Sequence, residues 1–173
     1  MKILTTLNPE HASKKEVEGY GVREAARAVV VDTEGNVALL HVSKKGYYKL
    51  PGGGIDSKED VLTALARECQ EEIGCDVEVL GEVGTIVEYR KIFNLKQISH
   101  CYFAKVLGAK GSPEFTAEEL QDDFKVEWLP YEKALGVLKA HTTDDFEGSA
   151  YIVPRDISFL EASKEYIKIG QRR

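Results

Sequence analysis

Between Gly53 and Cys75 the chain makes two demands at once, a helix that must be half buried and a cluster of charge that must be neutralised. Val61, Leu62, Leu65, Ala66, Cys69 and Ile73 recur at three- and four-residue steps, which predicts one apolar stripe pressed against a core. Glu68, Glu71 and Glu72 fall on a different face and on adjacent turns, so their carboxylates converge and repel. Such a gathering requires a compensating cation, and carboxylate oxygens are the ligands that hard ions such as magnesium prefer. Ser57 is the expected N-cap, with Asp60 three residues on, and Gly74 the expected C′ residue. The helix therefore spans about Lys58 to Ile73. Taken alone, Glu71 and Glu72 would read only as a solvated acidic face.

The longer string separates these readings. Its spacing resembles the Nudix box, Gly-x5-Glu-x7-Arg-Glu-U-x-Glu-Glu-x-Gly-U, where U is a bulky aliphatic residue. All seven fixed residues are present, at Gly53, Glu59, Arg67, Glu68, Glu71, Glu72 and Gly74. Cys69 and Cys75 stand at the U positions, where cysteine packs as a small hydrophobe without touching the chemistry. The resemblance implies an α/β fold, a Nudix-type α/β/α sandwich with a mixed β-sheet and the box as a loop-helix-loop. It implies magnesium or manganese held by Glu68, Glu71 and Glu72, with the Gly53 carbonyl as a further contact. Arg67 would orient the neighbouring glutamates through charge-assisted hydrogen bonds, and Glu59, one turn into the helix, would support the site. A general base often lies outside the box in this family, and the stretch from Glu114 to Asp123 offers Glu118, Glu119, Asp122 and Asp123.

Composition sets limits on this reading. With 173 residues, 43% of them hydrophobic, the chain can bury one core, so a single domain over 1–173 is the simplest expectation. A net charge of −6 argues against a general nucleic-acid-binding surface, which would show a basic excess. Three cysteines without a Cys-x-x-Cys pair indicate neither a disulfide framework nor a zinc site, and fit a reducing cytoplasm. Asn8, Pro9 and Glu10 interrupt the N-terminal apolar patch before it could form a signal segment, and no run reaches membrane-spanning length.

Along the chain, 1–21 reads as an N-terminal arm or edge strand. Arg23 to Asp32 and Val37 to Val42 form a hairpin about the turn Thr33-Glu34-Gly35-Asn36. Tyr48 to Pro51 is a short strand entering the glycine triplet Gly52-Gly53-Gly54, a loop able to turn sharply in front of the helix. Strands are expected over Asp76 to Leu80, Gly84 to Arg90, Ser99 to Val106 and Lys125 to Leu129, with Gly108 to Gln121 a long loop. A helix follows Pro130 from Tyr131 to Ala140, then an acidic loop from Thr142 to Gly148. A C-terminal helix over 155–169, begun at Asp156, closes the chain.

The function this implies is metal-dependent hydrolysis of the diphosphate linkage of a nucleoside diphosphate joined to another moiety, with a nucleoside triphosphate or related nucleotide as first expectation. The partner is a nucleotide-type small molecule rather than a nucleic acid or a membrane, and monomer and homodimer both stay open. Tyr47, Tyr48, Tyr89, Arg90, Phe93 and Trp128 could stack on a base or meet phosphate, although each singly reads as sheet packing. The ADP-ribose branch carries a proline after the box, and none occurs between Asp76 and Lys96. ADP-ribose or nucleotide-sugar hydrolysis is the alternative within the family. A non-catalytic nucleotide sensor is the alternative outside catalysis, but would be expected to lack a glutamate of the box. A diphosphate isomerase would need an acidic cysteine, and Cys101 is the one not at a packing position.

Overall fold

The computed structural model describes residues 1–140 and 142–170, with side chains to Ile167. The end of the expected domain, 171–173, lies outside that range. Among the described residues seven strands form one sheet: β1 (Ile3–Leu7), β2 (Gly21–Val31), β3 (Asn36–Val42), β4 (Tyr47–Lys49), β5 (Asp76–Arg90), β6 (Leu95–Leu107) and β7 (Phe124–Pro130). The order is β1-β5-β6-β2-β3-β4, with β7 on the other side of β3. β2 runs parallel to β6 from Gly21↔Leu95 to Val31↔Lys105, and β1 parallel to β5, while the remaining pairs are antiparallel. The sheet is mixed, as the fold class required.

Among the described residues six α-helices accompany it: α1 (Lys14–Glu18), α2 (Val61–Ile73), α3 (Ala117–Gln121), α4 (Tyr131–Ala140), α5 (Val153–Ala162) and α6 (Lys164–Gly170). α2 covers one face, where Leu65, Cys69 and Ile73 pack on Ala26, Ala28, Val30 and Leu40. α4 and α5 cover the other, where Leu138, Phe159 and Leu160 pack on Val29, Leu39, Ile86 and Phe103. Both faces of β2 are therefore covered, which is why Ala25 to Val30 is buried throughout rather than alternating. The result is an α/β/α sandwich.

Several boundaries differ from expectation for local reasons. Ser57 does not cap α2. Asp60 does, extended at φ −85° and ψ 171°, its carboxylate accepting from Thr63 N at 2.8 Å. The residues before it close a turn on themselves, with Glu59 N donating to Asp56 O at 3.1 Å and Asp56 N to Glu59 Oε1 at 2.9 Å. Glu59 thus precedes the helix instead of lying one turn into it. The helix face is also rotated: Leu62 and Ala66 are exposed, and Ala64, Glu68 and Glu72 take buried places beside Leu65, Cys69 and Ile73.

The hairpin turn forms, fixed by Asp32 Oδ1, which accepts from Glu34 N at 2.9 Å and Asn36 N at 2.8 Å. Its strands then part after Val31↔Val37, β2 turning to β6 and β3 to β7. The two strands expected over 76–90 are one, with irregularities at Val79/Gly81 and Glu82/Gly84. The expected loop over Gly108 to Gln121 contains α3, nucleated by a capping box between Thr116 and Glu119. The C-terminal helix does not start at Asp156. A π-helical turn over Gly148–Ile152 leads into α5, Pro154 occupies the first turn where its missing N–H costs nothing, and Ser163 separates α5 from α6. The α4 bounds match expectation.

Candidate active site

The glycine triplet is laid against β2. Ala28 N donates to Pro51 O at 3.0 Å, Ala26 N to Gly53 O at 2.9 Å, and Ile55 N to Glu24 O at 3.1 Å. That close approach admits no side chain: a Cβ on Gly52, whose φ is +128°, would lie 2.1 Å from Ala26 O. At Gly53 the obstacle is the site itself, since a Cβ there would sit 2.3 Å from Glu68 Oε1. Backbone and carboxylate are therefore in contact.

α2 delivers the charged cluster from above this loop, and Arg67 is its hub. Arg67 Nη2 donates to Glu59 Oε1 at 2.7 Å and Nε to Glu59 Oε2 at 3.2 Å, a two-pronged pair. Nη1 reaches Glu68 Oε1 at 2.9 Å and Glu71 Oε2 at 3.0 Å, and Nη2 also reaches Gly54 O at 3.1 Å. One guanidinium thus gathers three carboxylates and the loop carbonyl. Hydrogen bonding to Arg67 holds the Glu59 carboxyl below the usual range, and hydrogen bonding to Glu59 raises Arg67 in return. Burial pushes the Glu68 carboxyl up, and the neighbouring Glu72 charge adds to it, against the pull of Arg67.

Glu72 is held separately. It is 2% exposed, and its two oxygens accept from Lys49 Nζ at 2.7 Å and from Gly52 N at 2.5 Å. Where the sequence points to a metal ion, Arg67 and Lys49 supply positive charge from within the chain, and among the described residues no set of three or more carboxylate, histidine or cysteine groups is arranged around a common metal point. Lys49 was not visible as a site residue from sequence. It lies on β4 with no spacing relation to the glutamates, and only the tertiary fold brings its ammonium to Glu72.

The donor set still fits a hard divalent cation. Glu68, Glu71 and Glu72 with the Gly53 carbonyl offer oxygen alone, and the Gly53 backbone lies against the Glu68 carboxylate. A cation there would relieve the raised Glu68 and the side chain of Glu71, which is 42% exposed and held only through Arg67.

The acidic residues beyond the box are mostly engaged. Glu119 caps α3, Asp122 pairs with Lys45 at 2.7 Å, and Asp123 pairs with Lys125 at 2.9 Å and accepts from Ser43 Oγ at 2.6 Å. Glu118 has no polar side-chain partner among the described residues. The loop before it abuts the site, with Glu114 N donating to Glu71 O at 2.7 Å. On the opposite rim Arg23 packs its guanidinium over Gly54 and donates to Gln97 Oε1 at 3.2 Å, in a groove of about 450 Å³ shared with Ile55, Asp56 and Glu59. Sequence reasoning missed Arg23 as well.

The aromatic candidates divide. Tyr48 stacks on His41 and donates to Glu127 at 3.1 Å, Trp128 carries Lys110 over its ring at 3.9 Å, and Tyr47 is buried in the core. Phe93 and Tyr89 lie around the β5–β6 turn, and Arg90 pairs with Glu88 and Glu147. Cys101 is fully buried in the core on the face covered by α4 and α5, away from the glutamate cluster, and burial pushes its thiol up.

A family model of the NUDIX domain matches residues 21–152. This chain is a Nudix hydrolase. Diphosphoinositol polyphosphate phosphohydrolase 2 of Rattus norvegicus is 28% identical over 134 residues, covering 77% of this chain and 71% of the relative. An RNA pyrophosphohydrolase of Halorhodospira halophila is 32% identical over 77 residues, or 43% of this chain and 42% of the relative. Among solved structures, a NUDIX hydrolase from Nitrosomonas europaea superposes with a TM-score of 0.64 at 13% identity, covering 84% of this chain and 90% of the other. At that identity the likeness speaks for the fold. In this Nudix hydrolase the matched segment contains the whole Arg67 cluster and Lys49, and ends just before α5. Among the described residues no helix is long and apolar enough to cross a membrane.

Proposed function

We propose that this Nudix hydrolase is a metal-dependent pyrophosphohydrolase that cleaves the diphosphate linkage of a nucleotide-type small molecule, with nucleoside triphosphates as the first class. The observation that carries the reading is the Arg67 hub, which preorganises Glu59, Glu68, Glu71 and the Gly54 carbonyl beside the glycine loop. Preorganised charge costs nothing to assemble at the moment of reaction.

When bound, a divalent cation supplies neutralisation of the diphosphate oxygens and a more acidic water. Glu68, Glu71, Glu72 and the Gly53 carbonyl are the groups that would hold it, magnesium or manganese. Arg67 keeps Glu68 and Glu71 turned toward the loop, and Glu59 keeps Arg67 in place. Lys49 and the Gly52 amide hold the Glu72 carboxylate in place in a buried position. Arg23, hydrogen-bonded to neutral Gln97, presents a guanidinium at the groove beside Gly54 suited to a phosphate of the incoming substrate.

The intact glutamates favour catalysis over a purely sensing role. A second substrate reading rests on the alignment of the rat phosphohydrolase, named for diphosphoinositol polyphosphates, over 77% of this chain. The two readings share a phosphoanhydride and differ in the group attached to it. Purified protein with magnesium or manganese is offered nucleoside triphosphates, ADP-ribose, nucleotide sugars, diphosphoinositol polyphosphate and 5′-triphosphorylated RNA, with products resolved chromatographically. Release of a nucleoside monophosphate with pyrophosphate supports the first reading, and turnover of the inositol compound alone replaces it with the second. No turnover of any of them defeats both.

A further inference from the structure

The face of the sheet away from α2 carries buried charge where apolar packing would suffice. Arg155 and Asp156 on α5 are 1% and 0% exposed, Glu88 on β5 is 0%, and Arg27 on β2 is 6%. Arg155 donates from Nε to Asp156 Oδ1 at 2.7 Å and from Nη2 to Oδ2 at 3.2 Å, and its Nη1 lies 3.6 Å from Glu88 Oε1. Each buried ion costs several kcal/mol of desolvation, so a network like this is a poor source of stability compared with apolar side chains of the same volume. Its cost requires another return.

The network ends on backbone at two neighbouring points. Leu50 N donates to Asp156 Oδ2 at 2.8 Å, and Arg27 Nη1 donates to Gly52 O. Pro51 between them has no N–H to offer. The next donor in the chain, Gly52 N, crosses to the α2 side and meets Glu72 Oε2 at 2.5 Å. Leu50 to Gly52 is thus gripped from one side of the sheet and holds a site carboxylate on the other. Burial, and then the neighbouring Arg155, bring Arg27 down to about 10, which leaves it charged at neutral pH.

We propose that Arg155, Asp156 and Arg27 are positioning residues for the active site, setting the Leu50–Gly52 backbone so that Gly52 N–H holds Glu72 in place. This rests on the reading of Glu72 as a site carboxylate. Arg155 and Asp156 lie beyond the matched family segment, which ends at 152, so α5 supplies a structural input to the site that the box does not contain.

The test uses the full chain as wild type, the double variant Arg155→Gln/Asp156→Ala, which removes both charges and the acceptor for Leu50 N together, and Arg155→Lys, which keeps the positive charge without the two-pronged geometry. Amide hydrogen exchange at Gly52 is compared with Leu65 and Phe103, and kcat and KM are measured on the substrate found in the panel. In the double variant Gly52 exchange accelerates about tenfold to a hundredfold relative to Leu65 and Phe103, the change expected for loss of one charge-assisted hydrogen bond. There kcat falls in step with little change in KM, and Arg155→Lys, which keeps the charge but not the fork, falls between wild type and the double variant. Unchanged Gly52 exchange overturns the proposal. So does equal acceleration at all three amides with kcat per folded molecule unchanged, which is the signature of a structural role alone. Should the double variant not fold, Asp156→Asn, which keeps an acceptor for Leu50 N, is read by the same ratio. Absence of turnover by wild type defeats the proposed function, while the exchange ratio still decides the positioning.

Discussion

Arg67 and Glu59 meet in a two-pronged ion pair, at 2.7 Å and 3.2 Å, although Glu59 stands outside the helix that carries Arg67. The pair ties the turn before α2 to the helix face, and through the remaining Arg67 donors to Glu68 and Glu71. A point charge in place of the fork cannot hold all of these at once. Arg67→Lys is expected to lower kcat by about tenfold to a thousandfold, the range for lost electrostatic preorganisation, with KM changing less. Steady-state kinetics at saturating metal check this, and an unchanged kcat would show that the fork is dispensable.

Lys49 and Glu72 form the most enclosed ion pair of the site, with side chains 13% and 2% exposed. Removing the cation alone leaves a buried carboxylate without its ion-pair partner, held by the Gly52 amide. Lys49→Met is therefore expected to destabilise the fold by about 3 kcal/mol. Added magnesium should recover more melting temperature in this variant than in wild type, since a bound ion replaces the missing charge. Thermal melts with and without magnesium, or with chelator, measure both effects.

Arg23 faces the groove, and among the described residues it donates to the neutral Gln97. Arg23→Ala is expected to raise KM by about tenfold while leaving kcat and the melting temperature near wild type, the pattern of lost ground-state binding. A fall in kcat at constant KM would instead place Arg23 among the groups acting in the transition state.

Asp32 illustrates a pH effect remote from the site. Burial pushes its carboxyl up, but Lys110 at 2.6 Å and the Asn36 amide outweigh that and hold it below the usual range. A depressed folded value means the stabilisation is present above the unfolded carboxyl range and is lost as pH falls through the folded value. Asp32→Asn should lower stability at neutral pH and flatten the acid limb of a stability–pH curve, as denaturant melts at stepped pH would record. An acid limb of unchanged slope would remove Asp32 from the account.

The box made much of this legible, because its residues are close in sequence and their relation follows from helix geometry. Arg67, Glu68, Glu71 and Glu72 come together on that basis, while Gly53 joins them only through the resemblance to the box. The helix start differs from expectation because Ser57 and Asp60 are both good caps, and the choice falls to the Asp56–Glu59 turn, a local contact that the capping pattern does not register. The apolar stripe was misread for a related reason: Glu68 and Glu72 are buried through Arg67, Lys49 and Gly52, so hydrophobicity does not mark the buried face. Lys49, Arg23 and the Arg155–Asp156 pair reach the site from β4, β2 and α5. Nothing in local periodicity connects them to Glu72 or Gly54.

The most direct measurement is hydrolysis by wild type and by Glu71→Gln/Glu72→Gln, at saturating substrate, across a magnesium titration. The account predicts saturable activation of wild type by magnesium and loss of about a thousandfold or more in kcat for the variant, with its fold intact by circular dichroism. Equal turnover by the two proteins, or turnover of wild type that persists unchanged in chelator, would contradict it.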